Sequence, residues 1–334
     1  MNLENPQDLQ NYVDEAIKKA VTASSTGYTQ SPPARSIYAP ENLDPRIKHI
    51  VPTKAPIREL IPREQGFGQV ATWRKLTSRL DPQAGGTGTR LGFADAGQPA
   101  QTNQTYVLAT AAYKNIGRDV EIGRQLIAAN RGSNLEDVRA HEEMVKAIEV
   151  VLGEEDIILN GDVATQANEF DGFAKSFTTN SGSATFLTAS GVGNYARTLY
   201  GVGAENPEYL VASPRQIQAL ADDLQGSGSI QRINIDNQGN ATGGVALKQV
   251  VNSVTGGFIS VRPSRYVGGG GNGWAYLLSV HDETGENWLK MSDLEPMSVY
   301  DVPTANHSIV SRVYETTVLC VIAEQYQYKI GGLQ

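Results

Sequence analysis

Residues 152–173 read LGEEDIILNGDVATQANEFDGF. Ile157, Ile158 and Leu159 carry an apolar helical face to a stop at Gly161, a polar loop follows, and Asp171-Gly172-Phe173 closes it. Upstream, the same helix extends back to Ser133, which has capping-box spacing to Glu136. Leu135, Val138, Val145, Ile148 and Leu152 form the main apolar stripe, widened by Met144, Ala147 and Val151. Gly153 is a point where the helix can kink. Arg139–Glu143 and Glu142–Lys146 are i,i+4 pairs on the wet side, and the remaining carboxylates read as solvating and pairing groups. The spacing predicts a helix over residues 133–162, roughly 25–30 residues or about 40 Å long.

On the N-terminal side, residues 67–79 (Phe67, Val70, Trp73, Leu76) and 105–122 read as two strands. The Gly/Pro/Gln/Thr-rich stretch between them makes a long hairpin with a large tip. Such a ribbon is marginal alone and must pack on something. Earlier still, Asn5 and Pro6 start an amphipathic helix through Leu9, Val13, Ile17 and Ala20. Seven prolines then follow between Pro32 and Pro62, which favours an extended arm needing a partner surface. On the C-terminal side, a helix is expected over 187–200. A buried strand over 209–212 leads to Ser213, which caps a helix from Pro214 to about Leu224. Residues 225–244 read as a loop, and strands follow at 257–262, 274–280 and 297–301. The β-rich run over 308–330 is too long for one ordinary strand unless it bends or crosses between regions.

Composition narrows the function. The chain has 334 residues, 40% apolar and 19% charged, with 34 glycines and 15 prolines. That suits a folded chain of two modest domains, or of one core with long extensions. A net charge of −8 argues against a surface devoted to nucleic acid. Cys320, the only cysteine, sits among Val318, Leu319, Val321 and Ile322 and reads as a small buried hydrophobe. No apolar run is long enough to span a membrane. His49, His141, His281 and His307 lie at no metal-ligand spacing, and His141 reads as a surface or interface residue of the long helix. Gly268 to Gly271 lacks the Lys-Ser/Thr of a phosphate loop, and no serine has nucleophile-elbow context. No catalytic residue, cofactor or metal is expected.

This order of elements resembles the α+β capsid fold shared by tailed-bacteriophage major capsid proteins, herpesvirus capsid floors and encapsulins. The segment LNGD…DGF resembles the end of that family's spine helix and the turn after it, and YLVASPRQIQALADDL at 209–224 is similar to its strand–helix unit. The resemblance implies an N-terminal arm (1–65) and an extended hairpin loop (66–122). It implies a peripheral domain (123–204 and 303–334) with spine helix 133–162, and an axial domain (205–302). It also implies a self-assembling icosahedral shell of pentamers and hexamers around double-stranded DNA, held without sequence-specific binding. The location would be the virion, after assembly in the host cytoplasm. Portal and decoration proteins are implied partners, and a separate scaffolding protein is expected because roughly sixty residues precede the hairpin. The alternative is an encapsulin-like compartment around a cargo enzyme, which the proline-rich arm disfavours; an oligomeric hydrolase is a remote third.

Charge placement adds one expectation. Residues 46–80 carry eight Lys/Arg against two Glu, and residues 133–162 carry nine Asp/Glu against two Lys/Arg. Blocks of opposite sign attract and fix orientation. The basic block is therefore expected to meet the acidic helix of a neighbouring subunit, with Arg74, Lys75, Arg79, Glu142, Glu143 and Glu149 as intersubunit contacts. Some members of the family cross-link a hairpin lysine to a neighbour's asparagine. Residues 81–104 here hold no lysine, and Lys75 and Lys114 lie lower on the strands, so cross-linking is not expected.

Overall fold

The computed structural model describes residues 54–78, 95, 97, 105–130, 137–204, 206–226, 233–235, 241–243, 247–268, 273–281, 285–304 and 306–334. The expected N-terminal helix, most of the proline-rich arm, almost all of the hairpin tip and the Ser133/Glu136 cap lie outside them.

In chain order the strands are β1 (Arg63–Gln65), β2 (Val70–Ser78), β3 (Thr105–Ala112) and β4 (Lys114–Gly123). Helices α1 (Arg124–Asn130), α2 (Val138–Asn160) and α3 (Phe173–Ser176) follow. After them come β5 (Ser181–Ser183), α4 (Ala189–Val202), β6 (Tyr209–Ala212) and α5 (Pro214–Gly226). Then come β7 (Ile233–Ile235), β8 (Ala241–Gly243), β9 (Gln249–Val251), β10 (Phe258–Pro263) and β11 (Gly273–Leu278). The chain closes with β12 (Leu289–Val302), β13 (Ser308–Val321) and β14 (Tyr328–Leu333).

Two sheets organise the elements. One has the order β1-β12-β13-β4, with α2 packed on β4 and β13. Along β4, Ile116, Val120 and Ile122 are buried while their alternate neighbours are exposed, the period-two pattern of a half-buried strand. The other sheet has the order β5-β14-β11-β6-β10-β9 and forms a second core with α4 and α5, through Leu199, Leu210, Leu220, Ile259 and Leu277. Thr188 caps α4 through Gly191 N at 3.1 Å, and Ser213 caps α5 through Gln216 N at 3.4 Å.

The long C-terminal run crosses between regions as expected: β13 pairs with β12 and β4, whereas β14 joins β11 and β5 in the other sheet. Several expectations change. Helix α2 begins at Val138, capped by Asp137, whose carboxylate accepts Arg139 N at 3.0 Å. It continues through Gly153 as one helix of 23 residues. Residues 105–122 are not one strand: β3 pairs with β2, and the chain turns at Tyr113 so that β4 enters the four-stranded sheet. The expected domain boundary near residue 302 separates β12 from β13, which are paired over most of their length. Helix α4, which lies within the expected peripheral segment 123–204, packs with the six-stranded sheet.

The quoted stretch makes the knot that ends α2. Gly161 N donates to Ile157 O at 2.8 Å, and Gly172 N donates to Gly161 O at 2.9 Å. Asp162 accepts Ala164 N at 2.9 Å, and Asp171 accepts Val163 N at 3.0 Å. A Cβ on Gly172 would lie 2.4 Å from Ile157 O, so only glycine lets the returning loop touch the helix end. The return places Phe173 in the core, 4.8 Å from Phe177 and 5.7 Å from Tyr276 between ring centroids.

Candidate functional site

Two features stand out: a buried charge cluster at the root of the N-terminal segment, and the ribbon β2–β3 that leaves from the same root.

The cluster joins residues 57–65 to α2 and the four-stranded sheet. Glu154 of α2 is fully buried and takes the guanidinium groups of both Arg58 and Arg63. Arg58 also reaches Glu315 of β13 at 3.1 Å, and Arg63 reaches Asp293 of β12 at 3.0 Å. Thr317 Oγ1 donates to Asp293 at 2.6 Å. Next along α2, Glu155 accepts Ile57 N at 3.1 Å and the Ser264 hydroxyl at 2.7 Å. Burial raises the Glu155 carboxyl above its usual range. Burial, with Glu154 beside it, pushes Glu315 up to about 8, against the pull of Arg58 and Arg63. These contacts order the segment and run β1 parallel to β12.

Among the described residues, the ribbon is anchored at its base. Ala71 is buried, Trp73 Nε1 donates to Val321 O at 2.9 Å, and Lys75 Nζ pairs with Glu324 at 2.6 Å. Glu324 also accepts both the N–H and the hydroxyl of Thr178 and of Thr179. Burial opposes its ionisation, but the bonds from Lys75 and Thr178 outweigh that and hold it at about 2. On the alternate face, Val70 and Arg74, paired with Ala112 and Leu108, are exposed. There Leu108 is 67% exposed and Tyr106 53%, and Phe67 at the foot of the ribbon is 87% exposed.

The six expected contact residues divide as follows. Arg74 is exposed on the ribbon, and Arg79 lies outside the described residues. Lys75 pairs with Glu324 of its own chain. Glu143 pairs with Arg139 at 2.7 Å as expected, while Arg139 also takes Asp301. Glu149 binds Lys146 at 2.7 Å and Arg118 at 2.9 Å, so Lys146 serves Glu149 in the structure and not Glu142 as expected. Glu142 is half-buried. Within the chain, Arg58 and Arg63 of the basic block meet Glu154 of the acidic helix. His141 is buried and not at the surface, because it falls four residues before Val145 on the stripe that packs against the sheet.

Sequence reasoning missed Glu154 and Glu155 by taking them as solvated. A signal was present: Glu154 sits four residues after Val150 and four before Ile158, both buried. Glu315 shares the inward parity of Val313 and Thr317 on β13. Among the described residues no group of three or more His, Cys, Asp or Glu is placed to hold a metal ion, and no helix is long and apolar enough to cross a membrane.

The arrangement as a whole is similar to several solved structures. An encapsulin complex (SrpI) from Synechococcus elongatus PCC 7942 aligns with a TM-score of 0.59, over 94% of this chain and 95% of that one, at 11% identity. The capsid of a native GTA particle aligns at 0.55, over 94% of this chain and 99% of that one, also at 11% identity. The structure of Mycobacterium phage Bobi aligns at 0.57, over 90% and 96%, at 9% identity. The chain has the HK97-like capsid fold. No protein-family sequence profile matches the chain, and no curated protein matches it in sequence. In the terms of this fold, α2 is the spine helix and β2–β3 the base of the extended loop. The charge cluster holds residues 57–65, which lead into β2.

Proposed function

We propose that the chain is the subunit of a closed icosahedral shell, assembled from pentamers and hexamers of itself, that encloses the double-stranded DNA of a tailed bacteriophage. The observation carrying this reading is the exposure of Leu108 on the ribbon and of Phe67 at its foot. A two-stranded ribbon exposing large apolar side chains is stabilised by a surface from outside its own chain, and a sister subunit supplies one at every position of a symmetric shell. Each contact is small, and closure multiplies it. The capsid fold supports the same reading. The role is mechanical and not enzymatic. DNA is held without sequence-specific contacts, and scaffolding, portal and decoration proteins are the partner classes. One structure sharing the fold, that of phage G, contains major capsid proteins together with decoration proteins. The protein would reside in the virion after assembly in the host cytoplasm. Arg74, Arg79 and Glu142 are the charged residues best suited to intersubunit contact.

Electron microscopy of the purified protein tests the proposal. The wild type is expected to form shells, and Leu108→Asp to stay as folded, unassembled subunits. A wild-type protein that remains a compact monomer, or a Leu108→Asp variant that assembles as well as wild type, would refute it. Shell yield should fall with ionic strength if Arg74, Arg79 and Glu142 steer assembly; equal yields at low and high salt would remove that role.

The likeness to the SrpI encapsulin supports a second reading, a protein compartment around a cargo enzyme. Particle contents decide between them: packaged DNA favours the phage shell, and protein cargo in a small closed shell favours the compartment.

A further inference from the structure

The charge cluster at the arm root is out of balance as drawn with every group ionised. Glu154, Asp293 and Glu315 supply three negative charges, and Arg58 and Arg63 supply two positive ones. Glu154 is 0% exposed and Glu315 1%. One oxygen of Glu315, Oε1, is buried and has no hydrogen-bond partner. An unpaired buried carboxylate oxygen beside a second buried carboxylate is a costly arrangement unless a proton occupies the pair. With one proton on Glu315 the count is two positive and two negative, and the two carboxyl groups can hydrogen-bond to each other.

We infer that Glu315 carries a buried proton, donated in a hydrogen bond to Glu154, that latches residues 57–65 onto the spine helix, so that the arm root grips in mild acid and loosens as the pH rises. Every charged group around Glu315 fits this reading. Helix α2 presents Glu154, residues 57–65 present Arg58 and Arg63, and β12 presents Asp293. On β4, Ile116 lies opposite Glu315 in register, and Lys114 is turned to Ala167 O at 2.5 Å. Neither supplies a cation to Glu315. Glu155, gripping Ile57 N, is shifted in the same direction by its burial and adds to the effect. The inference concerns the joint itself and does not depend on the shell reading.

The sign follows from linkage. Glu315 titrates near 8 with the segment docked and near its ordinary value of 4.5 when opening exposes it to water. Below the lower value both states hold the proton and docking is tightest. Between the two the docked state alone holds it, so opening becomes easier by roughly tenfold per pH unit. Above the upper value the effect levels off.

Amide hydrogen exchange of the full chain over pH 5–9, corrected for intrinsic exchange and read by mass spectrometry, tests the latch. Protection of residues 57–65 should fall by up to roughly tenfold per pH unit toward pH 8, while protection of residues 258–263 in the other sheet stays level. Glu315→Gln keeps the shape and the neutral state, so the pH dependence of its arm root should be much shallower, leaving only the part due to Glu155. Asp293→Asn removes a different negative charge and should flatten the slope by letting Glu315 ionise in place. A level wild-type profile, an equal slope in Glu315→Gln, or an equal fall in both segments would overturn the inference. Should Glu315→Gln not fold, the ¹³C carboxyl shift of wild-type Glu315 decides instead. A midpoint near 8 supports the buried proton, and one near 4.5 refutes it.

Discussion

Two glycines nineteen positions apart should respond to the same substitution with opposite signs. Gly172 adopts ordinary extended dihedrals, φ −85° and ψ −173°, so alanine meets no backbone penalty there. Its new Cβ would instead lie 2.4 Å from Ile157 O, 2.7 Å from Ile158 O and 2.8 Å from Gly161 N. All three are backbone atoms of the helix end, and none can swing aside. Relief requires the loop to lift, which threatens the Gly172–Gly161 bond and the seating of Phe173, which is fully buried. One lost buried hydrogen bond costs about 1 kcal/mol and forced repacking about 1–3 kcal/mol. Reduced entropy of the unfolded chain returns about 0.4–1 kcal/mol. Gly172→Ala should therefore lose about 2–3 kcal/mol. Gly153, inside α2, has nothing within 4 Å of an added Cβ, so Gly153→Ala should gain about 0.5–1 kcal/mol from helix propensity. Urea unfolding of both variants, read by tryptophan fluorescence and extrapolated to water, gives the comparison. If Gly172→Ala matches wild type within 0.5 kcal/mol, or if both variants shift the same way, the account of the loop as a glycine-dependent knot is wrong.

Other consequences can be measured in the same way. Arg63→Ala removes a cation shared by Glu154 and Asp293 and should cost about 3 kcal/mol in urea unfolding; a loss below 1 kcal/mol would show that solvent already screens the pair. Glu324 is held at about 2 against an ordinary 4.5, so its contribution is complete above pH 4.5 and is lost as the pH falls toward 2. Acid unfolding monitored by circular dichroism should accordingly show a shallower dependence in Glu324→Gln, and an unchanged curve would count against the anchoring of Lys75 and Thr178. Burial pushes the Cys320 thiol up to about 12, so a thiol reagent at pH 8 should label it only after denaturation. Rapid labelling of the folded chain would contradict the packing around β13.

Much of this protein was legible in its sequence because the signals are local. The apolar spacing up to Leu159 and the stop at Gly161 mark the end of the spine helix, since both depend only on neighbours along the chain. Ser213 before Pro214 marks the start of α5 for the same reason, and the length of the run over 308–330 demands a crossing. Tertiary structure decided what depends on distant partners. The turn at Tyr113 separates two strands with different partners: β3 pairs with β2, and β4 with β13, some two hundred residues later. Glu154 looks like one more solvated helix carboxylate until Arg63, ninety-one positions earlier, is laid beside it. A charged side chain is read as exposed or buried from its local pattern, but its burial is set by whether a counter-charge arrives from elsewhere in the chain, and pairing at that range leaves no periodic trace.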